Sequence, residues 1–500
     1  VTPASLRRWC TSERIAILVA AVTALLIATD IFPGVRGPAD GGWRWERRPL
    51  ESIAPLLAVV IVFGATALVA LRLRRLDAAT ARTKGHLLLA GGVALVFVQM
   101  IVLTAVEPGG LSNVPRRVLD PSFTSYHTIA GKVESPRAFL RDYHRLQSRF
   151  PVHGPSQPPG RALFFWAVNR WAEPSERTAL LLRLGDSLGG IPDRPPAVPA
   201  GTTDAQRAGA FLAGWLLLGM GALCVVPVVA LVGGTEHPRA AGAALLLLAT
   251  LPSTLLFTPQ TDHLILLLTA TAAALALAAL KRGPAWRGHL LFFLGGLSGS
   301  LALFVSFTSL AALGAWGLAL AAMLWLDSRR EDPGGYRCVP AGRLALHLLA
   351  GLAGLLVVPV WTSALGMQWP AVFRECTAAA HRIQVLVFGR HYSTWVGWNL
   401  WDFALFLGPA LTVVWLANVP CELRSRRGVP FALTLLVVLL ALDLSGRILG
   451  ETGRIWMFLM PLAVAAVATR EEQSDKSLLT LASAQLVVLL AIRMFLNVPG

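Results

Sequence analysis

The sequence predicts an all-α, polytopic membrane protein with about thirteen membrane-crossing helices and one large outer loop that carries interfacial helices. Three observations predict it. The 500 residues are 55% hydrophobic and only 14% charged, whereas a soluble domain carries roughly a quarter charged residues. Apolar runs of about 17–25 residues recur along the chain, the length that crosses a bilayer as a helix. These runs are continuous in Leu, Ala and Val rather than alternating, which excludes the period-two pattern of a membrane barrel.

The expected spans lie near 14–31, 52–71, 87–105, 207–232, 240–257, 264–280, 289–306, 308–326, 344–364, 397–418, 430–445, 455–469 and 478–495. With the N-terminus placed in the cytoplasm, the short inner segments hold twenty-one Lys and Arg and the short outer loops nine. The positive-inside rule favours that orientation and a multi-pass protein of the cell (plasma or inner) membrane. The net charge of +16 then reads as topology and contact with anionic lipid heads, not as nucleic-acid binding. Of Cys10, Cys224, Cys338, Cys376 and Cys421, only Cys376 faces outside in this topology. No structural disulfide and no metal-type cysteine spacing is expected. The first span reads as an uncleaved anchor.

The spans divide the chain into an N-terminal three-helix segment (1–105), a large extracytoplasmic loop (106–206) and a C-terminal bundle of about ten helices (207–500). A 101-residue loop is too long to be a connector. In "SPRAFLRDYHRLQSRF", Ser135 and Pro136 form an N-cap and N1 pair. Phe139, Tyr143, Leu146 and Phe150 make one apolar stripe, opposite Arg137, Arg141, Arg145 and Arg149. This reads as a helix in the membrane interface; a helix packed on the loop's own core is the alternative. Residues 184–206, rich in Gly and Pro, read as a flexible stretch.

The outer helix ends gather the unusual polar residues into six clusters: 118–130, 151–160, 258–263, 305–309, 388–403 and 445–456. Six clusters from well-separated segments on one side point to a single outward-facing site; each capping its own helix is the alternative. Asp120, followed by Pro121, Ser122, Thr124 and Tyr126, is a candidate general base or metal ligand, or an N-cap. Asp262 and His263 sit where a helix begins, where the dipole favours an acid. Arg447, Glu451 and Arg454 share one loop; a guanidinium fork matches phosphate oxygens, and Glu451 can hold an arginine in place. His391, Tyr392, Trp395, Trp398 and Trp401, with Arg390 nearby, form an interfacial belt or a stacking surface for sugar rings.

This order of motifs resembles that of the GT-C glycosyltransferases, in the branch of the protein O-mannosyltransferases and aminoarabinose transferases. Asp120, Tyr126 and "QPPGRALFFW" match the start and end of that family's large outer loop. "TPQTDHLILLLTATAAALALA" resembles its Thr-Asp motif at a helix head. "GETGRIWMFLMPLA" resembles its Arg-aromatic-apolar-Pro motif, through Arg454, Trp456 and Pro461. The chain departs from the family in two places. The large loop follows the third helix rather than the first, and the family's Asp-Glu pair is Asp120-Pro121 here. The resemblance implies a GT-C-like fold and a polyprenyl-phosphate sugar donor. It also implies a glycan, lipid or protein acceptor on the far side of the membrane. An inverting transfer then takes Asp120 as base, with Arg454 and Arg447 on the leaving phosphate. Asp262 positions the acceptor or helps Asp120 hold a divalent metal ion, and His153 and Gln157 contact sugar hydroxyls. The alternatives are a lipid or solute transporter or flippase, and a polymerase or ligase of lipid-linked glycans.

Overall fold

The computed structural model describes residues 3–39, 42–49, 56–123, 125–193, 198–280, 284–328, 340–425, 430–470 and 473–498. Thr124 and Cys338 lie outside these residues, as does the side chain of Cys10. The chain is 79% helical, an all-α multi-pass membrane protein. Three helices come first: α1 (Pro3–Thr29), α2 (Leu56–Arg74) and α3 (Ala78–Ala105), the last capped by Asp77, which accepts from the amides of Ala79 and Thr80. Five short helices fill the predicted loop: α4 (Asn113–Leu119), α5 (Ser125–Ala130), α6 (Pro136–Leu146), α7 (Gly160–Ala172) and α8 (Ser175–Ser187). Then follow α9 (Asp204–Leu223), α10 (Val225–Leu231), α11 (Pro238–Leu248), α12 (Pro252–Leu256), α13 (Asp262–Ala279), α14 (Ala285–Val305), α15 (Ser309–Ser328) and α16 (Ala341–Ala364). The last seven are α17 (Trp369–Arg382), α18 (Tyr392–Leu407), α19 (Pro409–Ser425), α20 (Phe431–Leu444), α21 (Thr452–Ile455), α22 (Met460–Ala468) and α23 (Asp475–Phe495). A two-residue antiparallel clip, Glu46–Arg47 against Leu496–Asn497, ties the 30–49 segment to the end of α23.

Among the described residues nine helical segments are long and apolar enough to cross a bilayer, or ten if α18 and α19, bent by 110°, are one span. Three further apolar helices, Pro238–Leu248, Phe431–Leu444 and Met457–Ala468, are shorter. The expected count of about thirteen is therefore not reached by length. The short helices have a physical reason: every residue of α22 and eight successive residues of α11 are buried. A helix walled by protein does not need to match the hydrocarbon thickness. The predicted span 240–257 is broken at Pro252, where α12 starts. The span near 397–418 is broken at Gly408 (φ +93°), where a Cβ would strike the Gln485 amide.

Small residues let the long helices approach. A Cβ on Gly296 would lie 1.9 Å from the Gly351 carbonyl, and one on Gly354 would lie 2.0 Å from that of Phe293. This close α14–α16 seam is the kind of packing that replaces hydrophobic drive inside lipid. Where Pro359 interrupts α16, the Val358 amide donates instead to Ser300 Oγ on α14 (3.2 Å).

Two expectations for the loop change. The capping of α6 is as expected, with Ser135 Oγ accepting from Ala138 N. Its apolar stripe, however, is covered by protein: Phe139, Leu140 and Tyr143 pack with Met367, Val372 and Cys376. Part of that cover comes from α17, outside the loop, so the alternative of a helix packed on the loop's own core describes α6 only in part. The stretch 184–206 is pinned rather than loose in its described parts. Ile191 and Val198 are buried with Phe211 of α9, and Arg207 donates to the carbonyls of Ile191 and Pro192.

Candidate functional site

All six polar clusters meet at one cavity at one end of the bundle. Its walls are Phe123 and Tyr126 from the first cluster, and His153, Ser156 and Gln157 with Arg161 from the second. Gln260 and Asp262 come from the third, Thr308 from the fourth, Phe388 and Arg390 from the fifth, and Ile448, Glu451 and Arg454 from the sixth. The cavity's inner space is about 110 Å³, and with its open mouth about 780 Å³.

Local structure explains how each wall is aimed. Pro159 caps α7 and Gly160 begins it. A Cβ on Gly160 would lie 2.2 Å from the Phe304 carbonyl of α14. The glycine is thus there for a backbone contact, and it places Arg161 in the first turn of α7. The segment before it is tied from behind. Tyr143 Oη donates to the Gln157 carbonyl (2.7 Å), and Gln147 Nε2 donates to the Pro155 carbonyl (2.6 Å). The Gln157 side chain accepts from Ser306 Oγ (2.8 Å). On the opposite wall α17 ends in a π-helical turn, Ile383–Val387. That turn carries Ile383 and Gln384 to the cavity, while Leu386 and Val387 beside them are exposed.

The charged groups form a row of alternating sign. Arg161 Nη2 lies 3.2 Å from Asp262 Oδ1, and Arg454 Nε lies 4.0 Å from Asp262 Oδ2. Arg454 Nη2 donates to Glu451 Oε2 (2.8 Å), and Arg390 Nη2 donates to Glu451 Oε1 (2.6 Å). Arg161 also donates to Tyr126 Oη (3.4 Å), and its guanidinium sits 5.1 Å from that ring's centroid. Arg390 is buried among Trp43, Phe388 and Trp395, with Nη1 on the Leu449 carbonyl (2.6 Å). Three cavity-lining donors, Gln260 Nε2, Arg390 Nε and Arg454 Nε, have no hydrogen-bond partner among the described residues. Buried donors are rarely left so.

Environment sets the protonation states. Burial raises the Glu451 carboxyl, but Arg454 and then Arg390 more than offset this and hold it below its ordinary value. Burial followed by Arg454 lowers His153 to about 4, Glu451 acting weakly in the other direction, so its imidazole is neutral at pH 7. Burial raises the Tyr126 phenol, with Arg161 opposing.

Of the predicted residues, Tyr126, His153, Gln157, Asp262, Glu451 and Arg454 line this cavity. Asp120, His263 and Arg447 do not. Asp120 ends α4, and its carboxylate accepts from Ser122 N (2.9 Å) and Ser122 Oγ (2.7 Å). It is neither an N-cap nor part of the wall. His263 is fully buried behind the wall, its ring nitrogens at 2.9 Å from the Thr254 carbonyl and 3.3 Å from that of Gln260. Arg447 is exposed, and among the described residues its backbone is engaged by Gln384 and Ser445. Arg161, Arg390, Gln260 and Gln384 join the site without having been singled out as ligand contacts. The first three stood within the polar clusters or beside them, whereas Gln384 lies in "RIQVLVF" with no local signal.

A divalent metal ion does not fit this donor set. Both cavity carboxylates are already faced by guanidinium groups, and no cluster of three His, Cys, Asp or Glu occurs among the described residues. No family model matches the chain, and neither a curated protein nor a solved structure is significantly similar to it.

Proposed function

We propose that the chain is a membrane glycosyltransferase that moves a sugar from a polyprenyl-phosphate donor to an acceptor hydroxyl, with the cavity facing the extracytoplasmic side of the cell membrane. One observation carries the reading: the row Arg161–Asp262–Arg454–Glu451–Arg390, assembled on one cavity from four separate segments. Three guanidinium groups against two carboxylates leave one net positive charge, which complements a phosphodiester monoanion. The exposed Leu386 and Val387 beside the wall fit a substrate that arrives with its chain in lipid. The excess of Lys and Arg in the segments of the other side supports the orientation.

In this reading Asp262, and not Asp120, is the base, because it is the cavity carboxylate with an oxygen, Oδ2, that no hydrogen bond occupies among the described residues. Asp262 Oδ2 takes the proton of the acceptor hydroxyl. The acceptor oxygen bonds to the anomeric carbon as that carbon's bond to the phosphate oxygen breaks, with inversion. Polyprenyl phosphate leaves with the electron pair, its growing charge met by Arg454 and by the Gln260 amide. Neutral His153 and Gln157 contact sugar hydroxyls. A polymerase or ligase of lipid-linked glycans would use the same machinery on another acceptor.

The transporter reading has one observation of its own, the 110° break between α18 and α19, since broken helices mark many transport sites. The break is filled, however: Gln485 Nε2 donates to the Leu407 carbonyl (2.9 Å) and its Oε1 accepts from Leu411 N (3.4 Å). The test is incubation of the purified chain, in lipid nanodiscs, with polyprenyl-phosphate-linked mannose and arabinose. Release of polyprenyl phosphate by the wild type, lost in Asp262→Asn, is expected. No release with either donor, together with uptake of an intact solute by proteoliposomes, would overturn the proposal.

A further inference from the structure

We infer that the corner of α7 and α8 is a membrane-interface anchor, a second lipid-binding surface distinct from the candidate site. Trp171 at the end of α7 is 50% exposed, and Leu180 and Leu184 on α8 and Leu188 just past its end are 50%, 45% and 40% exposed. Residues four apart share one side of a helix, so the three leucines form a stripe. The other side of α8 is occupied: Leu181 and Gly185 are buried, with Leu181 in the cluster that holds Phe211 of α9.

The occupant of the stripe follows from where α8 is held. Its partner α9 begins the membrane-crossing segment Asp204–Leu231. Phe211 lies about 10 Å along that helix from its start at 1.5 Å per residue. That depth puts α8 at the boundary of headgroups and acyl chains, where tryptophan and snorkelling arginine concentrate. Arg177 stacks on Trp171 at 4.8 Å and donates to its carbonyl (3.0 Å). Acids and bases balance between 170 and 188, with Arg170, Arg177 and Arg183 against Glu173, Glu176 and Asp186. The anchor is therefore apolar, and neutral lipid satisfies it. Its consequence reaches the candidate site, because α7 carries Arg161 in its first turn and Trp171 in its last. The two are about 15 Å apart along the axis, so the anchor fixes the depth of Arg161 relative to the bilayer.

The test places single spin labels in the full chain, freed of its native cysteines, in phosphatidylcholine vesicles. Labels go at Leu180→Cys, Leu184→Cys and Leu188→Cys, with Ala179→Cys and Asp186→Cys, exposed on the far side of α8, as controls. Collision with oxygen should dominate at the three leucine positions, and collision with an aqueous nickel chelate at the two controls. Nickel access at the leucine positions equal to that at 186 would overturn the proposal. So would dipolar broadening between labels at those positions, which would make a second copy the occupant. The readout needs no substrate, so it stands or falls apart from glycosyl transfer.

Discussion

Neutralising Glu451 tests the charge row directly. The carboxylate accepts from Arg390 at 2.6 Å and from Arg454 at 2.8 Å, and hydrogen bonds to charged groups are worth about 1.5–3 kcal/mol each. In Glu451→Gln one amide oxygen remains to accept one of them, and two guanidinium groups face each other without the charge between them. Breaking a buried pair from one side costs about 3–5 kcal/mol. The cost here should fall toward the lower end, about 3 kcal/mol, because each arginine has somewhere to turn. Arg390 keeps the Leu449 carbonyl and three aromatic rings. Arg454, the more exposed of the two, can close its 4.0 Å gap to Asp262. Adding Arg390→Gln removes the orphaned charge, so the double variant should lose less than the two single losses together, with a coupling of at least about 1 kcal/mol. The assay is reversible denaturation of the four proteins in mixed micelles. Additive losses, or a loss below about 1 kcal/mol for Glu451→Gln, would refute the row as a bonded unit.

Other outcomes follow from the same geometry. Asp262→Asn should lower sugar transfer by about 10²–10⁴-fold, the contribution of a general base, while Asp120→Asn, whose carboxylate is held by Ser122 away from the cavity, should leave turnover within a few-fold; equal losses in the two variants would return the base to Asp120. His153 has its folded pKa depressed from 6.5 to about 4, so its neutral state contributes stability that is present above pH 6.5 and lost as pH falls toward 4. The contribution is at most about 3 kcal/mol, and His153→Gln should flatten stability between pH 6.5 and 4. Glu451 is also depressed, so its share persists above its unfolded value near 4.5 and disappears only below it; stability that rose on acidification through that range would contradict both assignments. Gly160→Ala must push α7 off the Phe304 carbonyl, an overpacking cost of about 1–3 kcal/mol, and should raise the KM for donor by displacing Arg161.

The sidedness of the site was legible because charge and polarity obey the bilayer. A chain that must bury about 20 apolar residues per crossing favours helix ends for its Asp, Glu, His and Gln, apart from paired ones such as Gln485 within α23, and the six clusters at the ends all reach one cavity. What the sequence did not carry was direction within a cluster. Asp262 and His263 are adjacent at the head of α13, where successive residues point about 100° apart; one faces the cavity and the other faces the Thr254 carbonyl. Asp120 and Tyr126 stand six residues apart in one motif, and only the second reaches the wall. The apolar stripe of α6 and that of α8 illustrate the same limit. Periodicity identifies an apolar face without saying what covers it, and α17 covers the first while the second is exposed. The count of spans is met only in part for a related reason: among the described residues α11 and α22 are apolar but short, and burial inside the bundle releases them from the length a lipid-facing helix must have.

The balance of charge in the cavity limits what the proposed substrate can be. Tyr126 and His153 are neutral at pH 7 because burial opposes their charged forms, so the count rests on Arg161, Arg390, Arg454, Asp262 and Glu451 alone. The two carboxylates hold the three arginines in a row at contact distances that like charges would not otherwise tolerate in a low dielectric. The single excess charge falls at Arg454, the middle arginine of the row, which shares its carboxylates with both neighbours. Burial works against its charge, and Glu451 and Asp262 restore it. A ligand with one negative charge completes Arg454 without stripping either neighbour. A diphosphate would have to break one of the carboxylate contacts to be matched. The reading therefore orders donors as well as naming them: a sugar linked through one phosphate should bind more tightly than the same sugar linked through two, and Glu451→Gln should narrow or reverse that preference.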